Sequence, residues 1–305
     1  GRAAHEERRS LERWLGDAFG LEENELPAGA LSVLAAGGEP GAHAWLRADP
    51  VHLRLARDEL RLVPADGFHL SREEAEALCA ALNGHFRGEL DFHALQPERW
   101  CARLLAGEAL IETPAPLEIA GANVDAHLPA GPGGARWRAL LNEVQMLLHA
   151  HPMNEARERR GEPVVNSVWL WGAGRLPAKL AARWRSLAAD DPLALGLARR
   201  AGLAHGPLPA SAEAWLARLP EDGRHLAVLD GLRAPAGLAD ADAYSARLQA
   251  LEARWFAPLL AALRAGRIGM LSVHVPDAEE ALSVETARGD LRRFWRRPRA
   301  VGDYA

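Results

Sequence analysis

The chain has 305 residues, 49% of them hydrophobic, which is enough to bury the core of one large domain or two ordinary ones. Its formal net charge of -5 gives no reason to expect a nucleic acid or an anionic membrane as a partner. No apolar run reaches membrane-spanning length, and the polar N-terminal segment has no signal-peptide pattern. We therefore expect a cytoplasmic protein without a membrane partner.

Two cysteines, Cys79 and Cys101, stand without a CxxC motif or a histidine at metal-ligand spacing. Such residues are usually buried free thiols, which fits a reducing compartment. Only Lys179 is a lysine among the 36 basic residues, so arginine is abundant throughout the chain. One arginine on its own is therefore weak evidence for a ligand site.

The first half of the chain mixes predicted helices and strands. Residues 4–18 have the apolar spacing of an amphipathic helix, and the Gly-, Ala- and Pro-rich residues 26–42 predict a loop or connector. The pattern changes at His43. Period-two alternation on both sides of Arg57 and Asp58 then predicts a β-hairpin.

The next helix has a clear start signal. Ser71 and Glu74 form a capping-box pattern, in which each side chain can accept from the backbone amide of the other residue. The helix is expected to end near Asn83, and short strands are predicted at 89–95 and 99–104. Helices and strands mixed in this way predict an α+β domain.

The second half alternates strands with helices. Residues 136–150 predict a helix with one apolar face, which Pro152 ends. The apolar run 164–171 predicts a buried strand that leads into a Gly-Ala-Gly turn. Strands at 225–230 and 268–275 flank a long predicted helix, and this alternation predicts parallel pairing and an α/β half.

Chemically active side chains gather in the segment 142–177, around a helix end, a proline and the Gly-x-Gly turn. They are Glu143, His149, His151, Asn154, Arg157 and Asn166. Their order resembles the archaeal-type cofactor-independent phosphoglycerate mutases, whose corresponding segment runs roughly as NE…L…HPxNxxRxxxGxxxAN…(R/W)GxG…P. The segment therefore indicates which family this chain is similar to.

The resemblance extends to other segments. Residues 45–49, WLRAD, and the hairpin at Arg57 resemble the family's FRxNFAT…DRRAGR, with Asp49 where the family has Asn. Residues 123–127, NVDAH, resemble its DTDPH, and the strand at 225–230 resembles the strand that delivers its metal loop. The chain is still more similar to the bacterial RpfE-like regulatory proteins, which look like a branch of the same superfamily.

This resemblance implies a fold and a domain plan. The expected fold class is α/β: a truncated alkaline-phosphatase/phosphoglycerate-mutase-like core with an α+β domain in the N-terminal half. Residues 1–42 are expected to form an N-terminal helix and connector. Residues 43–160 are expected to form the α+β domain, which resembles the mutases' inserted domain, and residues 161–305 the α/β core-like half.

The resemblance also implies chemistry that depends on two divalent metals, a Ser nucleophile and arginines that hold phosphoglycerate. Residues 1–42 contain neither the family's metal-binding DGxxD nor the nucleophile. Leu238 stands where the family has a metal-binding His, and residues 273–276, VHVP, replace its later DHxTP. We therefore expect no catalytic residue, no metal and no cofactor, and the prediction leans away from an enzyme.

Candidate ligand contacts are the polar side chains and turn glycines of the matched segments, because arginine offers a bidentate fork to an anion and Asn, His or backbone amides offer neutral donors. They are Arg47, Arg57, Asp125, His127, Glu143, His151, Asn154, Arg157, Asn166, Gly172 and Gly174.

Each candidate also has a structural alternative. His151, Asn154 and Arg157 could close a buried polar network, and the Gly-x-Gly sequence could be a tight turn after a strand. Asp125 and His127 could make local turn hydrogen bonds instead of acting as an acid–base pair.

Two further patterns are weak. Glu143, His149 and His151 lack the additional ligands expected of a metal site. The arginine-rich tail 288–299 is expected to be a solvated segment, so nucleic acid is not an expected partner.

Three functions remain open from the sequence. The first is a catalytically inactive mutase relative with a regulatory role, which binds a small phosphorylated or carboxylated metabolite or a protein partner. The second is a metal-independent enzyme that acts on such a metabolite through the cluster 142–157. The third is a scaffold whose polar cluster only joins two halves of the structure.

Overall fold

The structure is a computed structural model that describes residues 2–5, 9–22, 26–56, 58–107, 111–220, 222–276 and 281–292. Strands and helices alternate in a mixed α/β fold, as the sequence predicts. The strands within the described residues are β1 (Arg2–His5), β2 (Trp45–Ala56), β3 (Glu59–Pro64), β4 (Leu90–Gln96), β5 (Arg99–Leu104), β6 (Ser167–Gly174), β7 (Ser186–Ala188), β8 (Ala204–Gly206), β9 (His225–Ala227), β10 (Met270–Val275) and β11 (Leu282–Ala287).

The helices of the same residues are mostly short. The α-helices are α1 (Leu11–Ala18), α2 (Ala28–Ala35), α3 (Arg72–His85), α4 (Gly134–His149), α5 (Pro152–Arg160), α6 (Pro192–Arg200), α7 (Ala212–Leu216), α8 (Arg233–Gly237), α9 (Ala241–Leu251) and α10 (Ala257–Ala265). A π-helical turn, Glu252–Phe256, joins α9 to α10, so the long helix predicted in this region is present with one irregular turn. The 3-10 turns are Ala65–Gly67, Pro116–Ile119, Val124–His127 and Asp290–Arg292.

The largest sheet is built around β2. β2 pairs antiparallel with β3, β5 and β6, and β4 pairs antiparallel with β5, which gives a five-stranded sheet. The predicted hairpin is confirmed, because Ala56 of β2 lies opposite Glu59 of β3. Arg57, at the turn of this hairpin, lies outside the described residues. The sheet also crosses the domain boundary predicted after residue 160, since it includes β6.

Strand β6 is apolar along most of its length because both faces of the sheet are covered. Val168 and Leu170 pack with α3 and α4 on one face. Trp169 and Trp171 pack with α1, α2 and α6 on the other. A strand buried on both faces needs apolar side chains at successive positions, so the buried strand predicted at 164–171 is confirmed.

Local sequence signals predicted α3 and α4 well. The Ser71 Oγ accepts from the Glu74 amide at 3.2 Å, and the Glu74 Oε2 accepts from the Ser71 amide at 3.0 Å, which completes the predicted capping box. Helix α4 coincides with the helix predicted at 136–150 to within two residues at its start. The strands predicted at 89–95 and 99–104 are β4 and β5.

Two predictions for the N-terminal segment are wrong. The helix predicted at 4–18 begins only at Leu11, and Arg2–His5 is a strand that pairs with β11. The connector predicted at 26–42 contains the buried helix α2. Its small residues serve close packing, because a Cβ on Gly29 would lie 2.5 Å from the backbone nitrogen of Leu46 in β2.

The second half contains a small parallel sheet. Its strand order is β8-β7-β9, and both pairings are parallel, with α6 between β7 and β8 in the chain. The parallel pairing predicted for the strand at 268–275 is wrong. β10 pairs antiparallel with β11, which follows it after a short connection, and β11 pairs with β1.

Cys79 and Cys101 are both buried free thiols, as predicted. Within the described part of the chain, no helix combines the length and apolar character needed to cross a membrane.

Candidate functional site

Arg157 of α5 is the centre of an ionic group that we call the Arg157 cluster: Glu74, Arg157, Arg160 and Glu162. Its side chain is only 1% exposed. Nη1 donates to the Glu74 Oε2 at 2.7 Å, while Nε and Nη2 each donate to a carbonyl oxygen, of Pro163 and His69 respectively, at 2.8 Å. Arg157 therefore ties α5 to the start of α3 and to the segment that leads into β6.

Glu74 has both carboxylate oxygens occupied. Oε2 accepts from Arg157 and from the Ser71 amide, and Oε1 accepts from Arg160 Nη2 at 2.6 Å. Arg160 also binds Glu162, at 2.9 and 2.8 Å. The Arg157 cluster is thus a closed network in which the buried charges already have partners.

The Asn154 side chain links the end of α4 to the segment before β6 through hydrogen bonds to backbone groups. Its Nδ2 donates to the carbonyl oxygens of Leu148 at 2.8 Å and Val165 at 2.7 Å, and its Oδ1 accepts from the Val165 amide at 2.9 Å. His151 caps α5, since its Nδ1 accepts from the Met153 amide at 3.2 Å. Both residues satisfy backbone groups that a helix end would otherwise leave unpaired.

Asn166 and the Gly-x-Gly turn are also engaged within the chain. The Asn166 side chain accepts from the Leu53 amide through Oδ1 at 2.7 Å and donates from Nδ2 to the Leu53 carbonyl oxygen at 2.8 Å. Gly172 has φ +56°, and a Cβ there would overlap the Cβ of Ala28 at the start of α2. A Cβ on Gly174 would lie 2.9 Å from the Cβ of Pro27. The start of α2 therefore packs directly against this turn.

Arg47 and Asp49 form a buried ion pair in β2. They are 3% and 4% exposed. The Asp49 Oδ1 accepts from Arg47 Nη2 at 2.6 Å, and the Asp49 Oδ2 accepts from the Trp171 indole at 2.8 Å. Arg47 Nη1 donates to the Ser32 hydroxyl at 3.1 Å, and its guanidinium lies 5.3 Å from the centre of the Trp171 ring.

The other candidates lie elsewhere. Glu143 is exposed on α4, where it pairs with His85 at 2.9 Å. Asp125 and His127 belong to a 3-10 turn against β3, and the Asp125 amide donates to the Asn123 Oδ1 at 3.0 Å. The structure therefore brings Asn154, Arg157 and His151 together in one region. Glu143, Asp125 and His127 lie outside that region.

A group that the sequence reading missed lies at the ends of the parallel strands. Asp191 follows β7 and caps α6, with its Oδ1 accepting from the Ala194 amide at 2.8 Å. Asp230 follows β9, and the carboxyl edge of parallel strands is where α/β folds commonly bind ligands. Arg233 of α8 donates from Nη2 to the Glu12 Oε1 at 2.6 Å. With Glu118, these residues form what we call the Arg233 cluster.

The charges of the Arg233 cluster are incompletely balanced. Burial raises the pKa values of Asp191 and Asp230, and burial together with the nearby Glu12 raises the pKa of Glu118 to about 7, although part of the Glu118 side chain stays exposed. Burial alone would lower the pKa of Arg233, but the carboxylates of Glu12, Asp191 and Asp230 outweigh it and raise that pKa. The Glu12 Oε2 is buried without a hydrogen-bond partner.

Two sequence signals pointed toward this cluster. Asp191-Pro192 is a helix start after a strand, and Asp230 ends the next predicted strand. No local signal joins Glu12 to Arg233, because the two residues are 221 positions apart.

The residues present do not fit the two divalent metals that the resemblance implies. Leu238 has no donor atom, and its Cδ2 lies 2.9 Å from where a Cβ on Gly67 would be, so it packs over the 3-10 turn at residues 65–67. Arg233 places a positive charge among the carboxylates. Across the described ranges, no group of three or more His, Cys, Asp or Glu side chains is arranged to hold a metal ion.

Comparison with a solved structure first defines the class of fold. Its overall shape is similar to that of the PH0037 protein from Pyrococcus horikoshii, with a TM-score of 0.50 at 15% identity over 93% of this chain and 75% of that one. At this identity the similarity shows a shared α/β fold.

Sequence comparison then identifies relatives of part of the chain. Residues 29–154 match the family model described as 2,3-bisphosphoglycerate-independent phosphoglycerate mutase. A probable mutase of this type from Geobacter sulfurreducens is 30% identical over 137 residues, which cover 45% of this chain and 34% of the relative. The corresponding mutase of Methanosarcina acetivorans is 33% identical over 113 residues, 36% of this chain and 28% of that one. Part of the chain is thus similar to phosphoglycerate mutases, and the match spans about a third of the length of these relatives.

Proposed function

We propose that this chain is a non-catalytic, phosphoglycerate-mutase-like protein with a regulatory role. The observation that carries this proposal is the buried ion pair between Arg47 and Asp49. Arg47 lies in the segment where the resemblance implies an arginine that holds an anion, and Asp49 stands where the family has Asn. A neutral Asn would leave the positive charge of Arg47 for a ligand, whereas the Asp49 carboxylate cancels it.

An anionic ligand could bind the Arg47 guanidinium only by displacing Asp49. Because both side chains are almost completely buried, their separation would leave an uncompensated buried carboxylate, which costs about 3–5 kcal/mol. The Trp171 indole and the Trp100 amide hold Asp49 in place, with hydrogen bonds of 2.8 and 3.2 Å. The ion pair therefore opposes binding of a phosphorylated acid at Arg47.

The segment 142–177 supports the same role. Arg157 and Asn154 direct their donors to carbonyl groups and to Glu74, and α2 packs against Gly172. The side-chain donors of Arg157 and Asn154 are therefore engaged within the chain, which favours action through a protein partner over an enzyme that uses these two residues. We also propose that the chain is RpfE-like, as the resemblance of its sequence implies, and this would give it a regulatory role.

The location and domain plan belong to the same proposal. Cys79 and Cys101 are free thiols, which are typical of a reducing compartment, so we propose that the protein acts in the cytoplasm. We also retain the division into residues 1–42, 43–160 and 161–305 as a proposal, with β6 shared between the last two units through the sheet.

The test is thermal unfolding with and without 3-phosphoglycerate for the unchanged chain and for Asp49→Asn. A ligand that binds only the native state raises the midpoint by mass action. We expect no rise for the unchanged chain and a rise for Asp49→Asn, in which Arg47 regains its net charge.

The matched control is Asp66→Asn. Asp66 pairs with Arg99 in a similar way, with a hydrogen bond of 3.0 Å from Nη1 to Oδ2, but outside the resembling segment. This variant also adds one net positive charge, so a rise equal to that of Asp49→Asn would reveal general charge attraction. A rise for the unchanged chain would contradict the proposal.

A further inference from the structure

Strand β4 is an edge strand of the five-stranded sheet, because among the described residues it pairs with β5 alone. Hydrogen bonds alternate along an antiparallel ladder, so every second residue of β4 directs its N–H and C=O away from β5. Phe92 is such a residue. Its N–H donates to the Asn83 Oδ1 at 2.5 Å, and its C=O accepts from the Asn83 Nδ2 at 2.9 Å. By the same alternation, the N–H and C=O of Ala94 also point outward.

A groove lies between this edge and helix α3. We call it the β4 groove: Glu76, Cys79, Ala80 and Asn83 of α3 and residues 92–95 of β4. Its volume is about 360 Å³, which is within the range of ligand clefts. Arg72 of α3 donates from Nη2 to the Leu95 carbonyl oxygen at 3.4 Å. Between the Asn83 and Arg72 contacts, the backbone groups of Ala94 have no partner on the α3 side within the described part of the chain.

We propose that the β4 groove binds an extended segment of a partner protein, which adds to the sheet as a strand beside β4. One residue of an extended chain supplies the N–H and the C=O that an outward-facing residue of an edge strand needs. Asn83 offers the same two groups to Phe92, so its side chain holds the place of one peptide residue. This inference rests on the proposed function, since it names the surface through which a non-catalytic chain would contact its partner.

The position of α3 favours a single strand over a second copy of this chain. Asn83 and Arg72 hold the helix beside β4 at two points. In a second copy, β4 would carry its own α3 alongside, so two such edges could pair only if two helices shared one groove. A single extended segment meets no such obstacle.

The side chains of the groove indicate which segment fits. Cys79, Ala80 and Ala94 are small, which leaves room for one apolar side chain of about the size of Val. Glu76 is 60% exposed, and Arg72 holds it through a contact of only 3.4 Å. A basic side chain beside the apolar one would complement this carboxylate. We therefore expect a segment in which apolar and basic residues alternate.

The test is binding of a capped, fluorescein-labelled hexapeptide of alternating Lys and Val, measured by fluorescence anisotropy. We expect saturable binding to the unchanged chain. Asn83→Ala frees both backbone groups of Phe92, and two further hydrogen bonds predict binding about tenfold tighter. Ala94→Pro removes the outward N–H. Because edge strands tolerate proline, binding should fall about tenfold or more while the protein stays folded in thermal unfolding.

Three controls locate the effect. Asn166→Ala is matched to Asn83→Ala, because Asn166 holds both backbone groups of Leu53 in the same way, and it should leave the peptide affinity unchanged. A peptide of the same sequence with methylated backbone nitrogens keeps its charge but has no N–H donors, and it should not bind. Ala80→Leu fills the groove from the helix and should abolish binding, which decides the question if Ala94→Pro does not fold.

Several outcomes would overturn the inference. The first is absence of peptide binding by both the unchanged chain and Asn83→Ala. The second is equal affinity for the N-methylated peptide, or equal affinity of Ala94→Pro and Ala80→Leu, because charge attraction would then explain the binding. The third is a dimer in sedimentation that Ala94→Pro abolishes, which would make a second copy the occupant. No measurement uses 3-phosphoglycerate, so failure here is distinct from failure of the proposed function.

Discussion

The Arg157 and Arg233 clusters differ in how completely their charges are satisfied. Arg157 and Arg233 each hold a glutamate, at 2.7 and 2.6 Å. In the Arg157 cluster, Glu74 has both oxygens bonded. In the Arg233 cluster, Glu12 keeps one unpaired oxygen among additional carboxylates. A closed network indicates a structural role, whereas the Arg233 network leaves one buried oxygen of Glu12 unsatisfied.

The sequence makes the segment around Arg157 the main candidate site, whereas the structure places the unsatisfied charge in the Arg233 cluster. The segment around Arg157 carries the strongest motif resemblance, yet its polar groups bind other parts of the chain. The Arg233 cluster has no continuous motif, yet it contains the unbalanced charge. The motif around Arg157 therefore indicated the related proteins, but it did not show which side chains are free to bind a ligand.

The largest expected effect is from Arg157→Ala. It would leave the Glu74 carboxylate without its buried partner and two carbonyl oxygens without donors, so we expect a loss of about 3–5 kcal/mol in the free energy of unfolding. Urea denaturation measures it. Arg160→Ala is the matched control, because the Arg160 side chain is 45% exposed and solvent screens its ion pairs, so its removal should cost much less than that of Arg157. Equal effects of the two substitutions would remove the distinction between a buried anchor and a surface pair.

The next effect is expected at the Gly-x-Gly turn, which belongs to the same structural segment as Arg157. Gly172→Ala places a Cβ at φ +56° and against Ala28, so we expect a loss of about 2–3 kcal/mol. Gly161→Ala is the control, since Gly161 has φ +71° with open space around it and should lose only about 1 kcal/mol. Equal losses in urea denaturation would mean that the contact with α2 has no energetic weight.

The smallest effect should be the pH dependence that Glu118 gives to the Arg233 cluster. Glu118 has its pKa raised from 4.5 to about 7, so the folded state holds this proton to a higher pH than the unfolded state. Its contribution to stability is therefore present near pH 4.5 and is lost as the pH rises to about 7. Because solvent screens this partly exposed group, we expect a change of about 1 kcal/mol at most.

The measurement compares unfolding free energies at several pH values for the unchanged chain and for Glu118→Gln. The difference between the two should vary across this window. His225 acts in the opposite direction, since burial lowers its pKa, and the comparison with Glu118→Gln cancels that contribution. A pH-independent difference would show that Glu118 does not titrate as described.

Local signals predicted much of the fold. The Ser71–Glu74 capping box, the β2–β3 hairpin and helix α4 each depend on residues close in sequence, and all three are present. Helix α2 was missed because its small residues look like a connector. Their purpose appears only when Gly29 is seen against Leu46 of β2. The pairing of β10 with β11 was missed because alternation of elements does not specify which strands pair.

The candidate site was less predictable because it depends on contacts between residues that are distant in the sequence. Residue types around Arg157 predicted polar contacts, but the sequence did not specify whether the partner is a ligand or the chain's own Glu74. The Asp49 substitution was visible in the sequence, whereas its neutralisation of Arg47 depends on the two side chains meeting in one strand. The Arg233 cluster depends on contacts among distant segments, which local patterns do not encode.

The most direct test of the central claim is an assay of the interconversion of 3-phosphoglycerate and 2-phosphoglycerate, with and without Mn²⁺, followed by phosphorus NMR. We predict a rate equal to that of buffer in both conditions, because Arg47 is already neutralised and Arg233 lies among the carboxylates. Arg47→Ala serves as the control for a contaminating mutase, whose activity it would leave unchanged. Conversion by the unchanged chain that depends on Mn²⁺ and disappears in Arg47→Ala would contradict a non-catalytic role.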